Sequence, residues 1–213
     1  MSQPWMLLVS PTATWGGQVG GPLPALVTQA LLLMLGWSAA SHALADLSKV
    51  SGLAEGGTGF TSFLLLLAAL LVLTLLLTAA ATLLLRALGS KQTFGTMFTW
   101  LAYGMTPVYL GRSLGLLTFA IVQPLAADPR EALALQVNPL GLSLAGLYPP
   151  LSFPWTLAAS IDVFTVWALV LLAIGALHYL KLGTARSAAL MSALLIIWLL
   201  ALTAVWQGLQ RSL

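Results

Sequence analysis

The chain has 213 residues, 60% of them hydrophobic and 6% charged, with a net charge of +3 and no cysteine. A soluble domain carries charge on about a quarter of its residues, so eight basic and five acidic side chains cannot cover a water-facing surface of this size. Together with a mean hydropathy of +0.99, this excludes an ordinary soluble domain and points to an all-α, polytopic helical membrane protein.

The basic residues fall singly along the chain and make no patch in the sequence, which argues against nucleic acid as a partner. Absence of cysteine removes disulfides, thiolate metal sites and thiol nucleophiles. Residues 1–21 are uncharged and hold Pro4, Trp5, Pro11 and Trp15, which predicts a short interfacial segment because Trp prefers the headgroup level. The glycine-rich run at 16–21 ends it. The N-terminus lacks the basic region of a secretory signal, so the first apolar run is expected as an uncleaved span. It runs over about 23–45, opening with Pro22 and Pro24, which suit a first helical turn.

His42 and Asp46 mark the expected end of span one, and a polar loop with Lys49, Glu55 and three glycines follows. Span two, about 60–85, is free of charge and long enough to tilt. Arg86 and Lys91 bracket its exit, with Gly89 as the expected C-cap. The third span, about 93–120, is ambiguous, because residues 93–127 hold one charge, Arg112, and one proline before position 124, Pro107. Either a helix from Thr93 crosses and 114–127 continues along the far interface, or 93–105 lies in the near interface and the crossing starts at Pro107. The first reading is preferred.

Asp128, Arg130 and Glu131 make a polar break. Residues 132–161 are then apolar but broken by Pro139, Gly141, Gly146, Pro149, Pro150 and Pro154. Freed backbone groups of such a segment would lack partners in lipid, so it is expected as a Pro/Gly-rich hydrophobic outer loop packed on protein. Span four is placed at about 158–180 and span five at about 187–210, giving five spans in a single domain over 1–213. The turns between spans two and three and between spans four and five carry Arg86, Lys91, Lys181 and Arg186 with no acid. The other side mixes Lys49, Arg130 and Arg211 with Asp46, Glu55, Asp128 and Glu131. The purely basic turns are expected in the cytoplasm, with the N-terminus inside and the C-terminus outside.

Arg112 is the sharpest candidate for function, since a charge inside an apolar run costs about 2.5–3.5 kcal/mol on insertion scales and usually finds a partner. It lies 21 residues after Lys91, and Asp162 lies 19 before Lys181, so helices place both roughly 30 Å from the basic turns. An Arg112–Asp162 ion pair between spans three and four is the expectation, against separate snorkelling to the headgroups. If Pro107 begins the crossing, the pair cannot form.

Thr74, Thr78 and Thr82 share one face of span two, and Gly111 and Gly115 form a G-x-x-x-G. Both patterns let helices approach closely and, for threonine, hydrogen-bond across the contact; a polar transport stripe is the less favoured reading. His42 and His178 fall on opposite sides in this topology and share no metal. Residues 55–59 lack the lysine and spacing of a phosphate loop. No nucleophile elbow or intramembrane aspartate dyad is present. No enzyme activity and no cofactor is expected.

Three ordered motifs resemble the Yip domain family, whose eukaryotic members interact with Rab GTPases and which has many bacterial members. The opening P-W-M-L-L-V-S-P-T-A-T-W carries Trp5, Ser10, Pro11 and Trp15; L-G-S-K-Q-T-F at 88–94 leads to A-Y-G-M-T-P with Tyr103 and Pro107. D-V-F-T-V-W-A-L-V-L-L-A-I-G supplies Asp162, Phe164, Trp167 and Gly175. The resemblance implies a five-helix membrane domain with no known catalysis, in the bacterial inner membrane, organising membranes or serving other membrane machinery as an accessory subunit. It implies a lipid bilayer and other integral membrane proteins as partners, in a larger complex or with an ABC-type exporter. The long polar N-terminal region of the eukaryotic members has no counterpart, so direct GTPase binding is not expected. The competing reading is a small transporter or channel using Arg112 as an intramembrane anion-attracting site.

Overall fold

The computed structural model describes residues 21–51, 60–122, 147, 154, 158 and 161–212. Its elements are α1 (Leu23–Ser51), α2 (Phe60–Ala87), α3 (Phe94–Gly104), α4 (Thr106–Val122), α5 (Val163–His178) and α6 (Thr184–Ser212). Among the described residues the fold is all-α. Only Met105 separates α3 from α4, so the six helices make five helical stretches, matching the five apolar runs. By length and composition one of them, α1 through its segment Leu23–Ala40, qualifies as a membrane span; shorter apolar stretches are Leu71–Ala87, Val163–His178 and Thr184–Trp198.

Local chemistry sets the helix ends. Gly89 adopts φ 77°, its N–H bonds to Arg86 O at 3.0 Å, and the Ser90 N–H bonds to Leu85 O at 2.8 Å. This is a Schellman cap: a left-handed residue is nearly free for glycine, and the two bonds satisfy carbonyls that the helix leaves open. Thr93 caps the start of α3 by accepting the Thr96 N–H at 3.2 Å. The chain re-enters helix at Thr106 because Pro107 has no N–H to give to the Tyr103 carbonyl and its ring crowds the turn before it. α1 continues past His42 and Asp46 to Ser51. Helix length follows backbone bonding rather than the polarity that marks a membrane boundary, and no glycine or proline intervenes before Gly52. α5 begins at Val163. The outer loop at 132–161 lies outside the described residues except at 147, 154, 158 and 161.

The chain divides into two compact units. Unit one comprises residues up to Thr28, Val72–Pro107 and Thr165–Leu213. Its core gathers Leu77, Ala81 and Leu85 of α2, Met97, Trp100, Leu101 and Tyr103 of α3, Leu172 and Ala176 of α5, and Leu190 and Leu194 of α6. Unit two comprises Gln29–Leu71 and Val108–Phe164. Within it, Trp37 of α1 and Phe63 of α2 meet as tilted rings 6.3 Å apart, and the Ser113 hydroxyl of α4 donates to Leu32 O of α1 at 2.7 Å.

Candidate functional site

In unit one, α3 and α5 are joined along their lengths. The Gln92 side-chain amide, just before α3, donates to Leu180 O at 2.8 Å. The Thr99 side chain lies beside that of Tyr179. The Trp100 indole N–H donates to Leu172 O at 3.0 Å. Gly104, one helical turn later, lies so close to Leu172 that a Cβ there would meet its Cγ at 2.6 Å. As the first partner advances from 92 to 104, the second retreats from 180 to 172, so α3 and α5 run antiparallel.

The Gln92–Leu180 bond also ties together the two turns that carry the basic residues. Lys91 precedes Gln92 and Lys181 follows Leu180; Arg86, Lys91, Lys181 and Arg186 are all exposed. Lys181 adopts φ 52° and is the one non-glycine residue with positive φ among those described. A side chain in that region costs on the order of 1 kcal/mol. The strain is held by the C-terminal cap of α5, where the Leu180 N–H bonds to Gly175 O at 3.0 Å and the Leu182 N–H to Ala176 O at 3.0 Å.

In unit two, Gly111 packs on Phe164: a Cβ at 111 would fall 2.6 Å from the ring. Arg112 and Asp162 flank this contact in the chain. Arg112 is half-buried; Asp162 is buried at 7% exposure and engaged in an interaction of its own.

Most of the remaining expected positions that are described are buried. Thr74, Thr78 and Thr82 are buried, but the Thr78 hydroxyl donates to Thr74 O and the Thr82 hydroxyl to Thr78 O, each at 2.7 Å. Those two bonds run along α2 rather than across to a neighbour, because a threonine in a helix can reach the carbonyl four residues back. Gly115, Tyr103, Pro107, Phe164 and Gly175 are buried and Trp167 half-buried; Pro11 lies outside the described residues. His178 is exposed at the end of α5. Among the described residues no group of three or more His, Asp or Glu side chains could hold a metal ion.

Four residues that sequence reading did not single out carry the contacts: Trp100, Gly104, Gly36 and Ser113. A Cβ at Gly36 would lie 2.9 Å from both Cα and the carbonyl oxygen of Ser113, so the two backbones touch. The only sequence signal was residue size. Gly36 and Ser113 are the small-residue type that interhelical contacts favour.

Among the described residues the chain is all-helical, with large apolar side chains on its outside and small residues at close helix contacts, features that suit a membrane protein. The chain belongs to the Yip1 domain family: that family's model, described as the Yip1 domain, matches residues 6–205. No curated protein and no solved structure matches it.

Proposed function

We propose that this chain is a five-span integral membrane protein that performs no catalysis and serves other membrane machinery as a scaffold or accessory subunit. The observation that carries the reading is how its polar and apolar groups are distributed. Leu31, Met34 and Leu35 of α1, Leu71, Val72, Leu76 and Leu83 of α2, Val163, Val166 and Val170 of α5, and Ile196 and Leu200 of α6 are all exposed. Inside, the Thr78, Thr82, Trp100 and Ser113 donors are already bonded to backbone carbonyls. Apolar side chains facing outward suit a lipid solvent, and polar groups satisfied internally are what a span requires. A buried polar group already bonded to its own backbone is poorly suited to acid–base work.

In this reading each of the five helical stretches crosses the bilayer. The basic turns lie in the cytoplasm of a bacterial cell, with the N-terminus inside and the C-terminus outside. Arg112 and Asp162 pair across the Gly111–Phe164 contact. Transport through a path at Arg112 has no supporting observation, and no GTPase-binding surface is proposed.

Co-purification after mild solubilisation tests the role. A stoichiometric membrane-protein partner is the expected result, and a lone monodisperse monomer counts against it. Topology is tested in the cysteine-free chain with single cysteines. Ser90→Cys and Gly183→Cys should label from the cytoplasmic face and Ser51→Cys from the opposite one; labelling of all three from one face would overturn the five-span arrangement. For the ion pair, Arg112→Asp and Asp162→Arg should each lower folded yield, and the double reversal should restore it. Restoration of nothing would sink the pair.

A further inference from the structure

We propose that the paired turns of unit one form a binding site for the phosphate-bearing headgroups of anionic phospholipids. The proposal rests on the membrane-spanning reading above and specifies what one end of the protein does there. Three observations carry it.

First, two basic segments far apart in sequence are tied to one another, with Lys91 and Lys181 next in the chain to the bonded residues. Residues 86–93 and 178–187 contain Arg86, Lys91, Lys181 and Arg186 and no acid, and the Gln92–Leu180 hydrogen bond at 2.8 Å locks one turn to the other. Concentrated like charge without compensation is unfavourable unless a counter-anion is at hand.

Second, Lys181 holds its charge in a left-handed backbone conformation, φ 52°, that glycine would adopt without cost. Backbone strain of this kind collects where a ligand or a switch makes use of it. The adjoining residues are bound into the cap: Leu180 and Leu182 donate to α5 carbonyls and are buried, so the turn presents Lys181 from a fixed base.

Third, the surroundings match an amphiphile rather than a soluble anion. Leu83 and Leu88 flank Arg86, Phe94 follows Lys91, and Leu177 precedes Lys181; all four are exposed apolar side chains. Cations directly beside exposed hydrocarbon are the complement of a phosphate headgroup above acyl chains. Juxtamembrane Lys and Arg gain about 1 kcal/mol each from an anionic leaflet, a factor of about five in affinity. An acidic protein partner would find the cations but leave the neighbouring leucines uncovered.

The test uses the full chain, reconstituted into bilayers of phosphatidylcholine with a minor fraction of phosphatidylglycerol. Co-purified lipid is then read by mass spectrometry after extraction in mild detergent. Wild-type protein should be enriched in phosphatidylglycerol over the bulk bilayer. Lys91→Gln and Lys181→Gln should each lower the enrichment about fivefold, and the variant with all four cations changed to Gln should carry bulk composition. Lys181→Gly serves as the control for folding, since it removes the charge and relieves the backbone; it should lose enrichment while unfolding no earlier than wild type.

Millimolar inorganic phosphate should not displace the lipid, whereas displacement would assign the turns to free phosphate and overturn the lipid site. Equal displacement by a soluble poly-glutamate peptide would assign them to an acidic protein partner and overturn it likewise. Wild-type protein that inserts into pure phosphatidylcholine yet shows no enrichment overturns the site and leaves the spanning reading standing. Protein that fails to insert into any bilayer overturns both.

Discussion

The two units hold helices together by different means. In unit one a short helix, α3, is buried along Met97 and Thr99–Gly104 and reaches its neighbour with large side chains: Trp100 and Tyr103 are fully buried and Trp100 bonds a backbone carbonyl of α5. Unit two brings two backbones together at Gly36 and the Ser113 main chain, and seats the Phe164 ring on Gly111. In lipid, burial of a leucine between helices gains little over burial in acyl chains, so association depends on close packing and on hydrogen bonds. One unit fills the gap between helices and the other closes it. The first should therefore be sensitive to losing volume, the second to gaining it.

Trp100→Ala gives the largest expected effect. Truncating a fully buried Trp costs about 3–5 kcal/mol, read as earlier thermal unfolding of the purified protein in detergent. Gly36→Val comes next, at about 1–3 kcal/mol for overpacking, because the obstacle is the Ser113 backbone and cannot rotate away. Gly104→Ala should cost less than Gly36→Val, since what it meets is the side chain of Leu172, which can change rotamer. Should Gly104→Ala prove the more damaging of the two, the contrast between the units fails.

Trp100→Phe isolates the hydrogen bond from most of the volume. Side-chain bonds between membrane helices average about 0.6 kcal/mol, so a small loss is expected, well below that of Trp100→Ala. The smallest effect carries the opposite sign: Lys181→Gly relieves the left-handed lysine and should raise stability by up to about 1 kcal/mol. Any destabilisation by that change would mean the strain is not where the φ angle puts it.

What could be read early is what depends on near neighbours in the chain. Gly89 was legible as a cap because the left-handed turn it makes is decided by residues 85–90 alone. The shared face of the α2 threonines was legible from their four-residue spacing; the direction of their hydrogen bonds was not, because a carbonyl four residues back competes with one on another helix. Pro107 had two readings, and the break at Met105 shows a helix restarting there. Which of the two paths through a bilayer results is a question for the labelling experiment.

The amino-acid sequence by itself determined the class and the positions of the helices. Thirteen charges in 213 residues, with long uncharged apolar runs between them, point to helices, which satisfy their own backbone in an apolar solvent. The placement of charge in short turns and the motifs around Tyr103, Pro107, Asp162 and Trp167 followed from the order of residues, and so did the family. Tertiary structure alone decided which small residue meets which helix. Trp100 finds Leu172 across 72 positions, Ser113 finds Leu32 across 81, and Gln92 ties one basic turn to another across 88. Contacts at that separation depend on the packing of whole helices, and no local pattern encodes them.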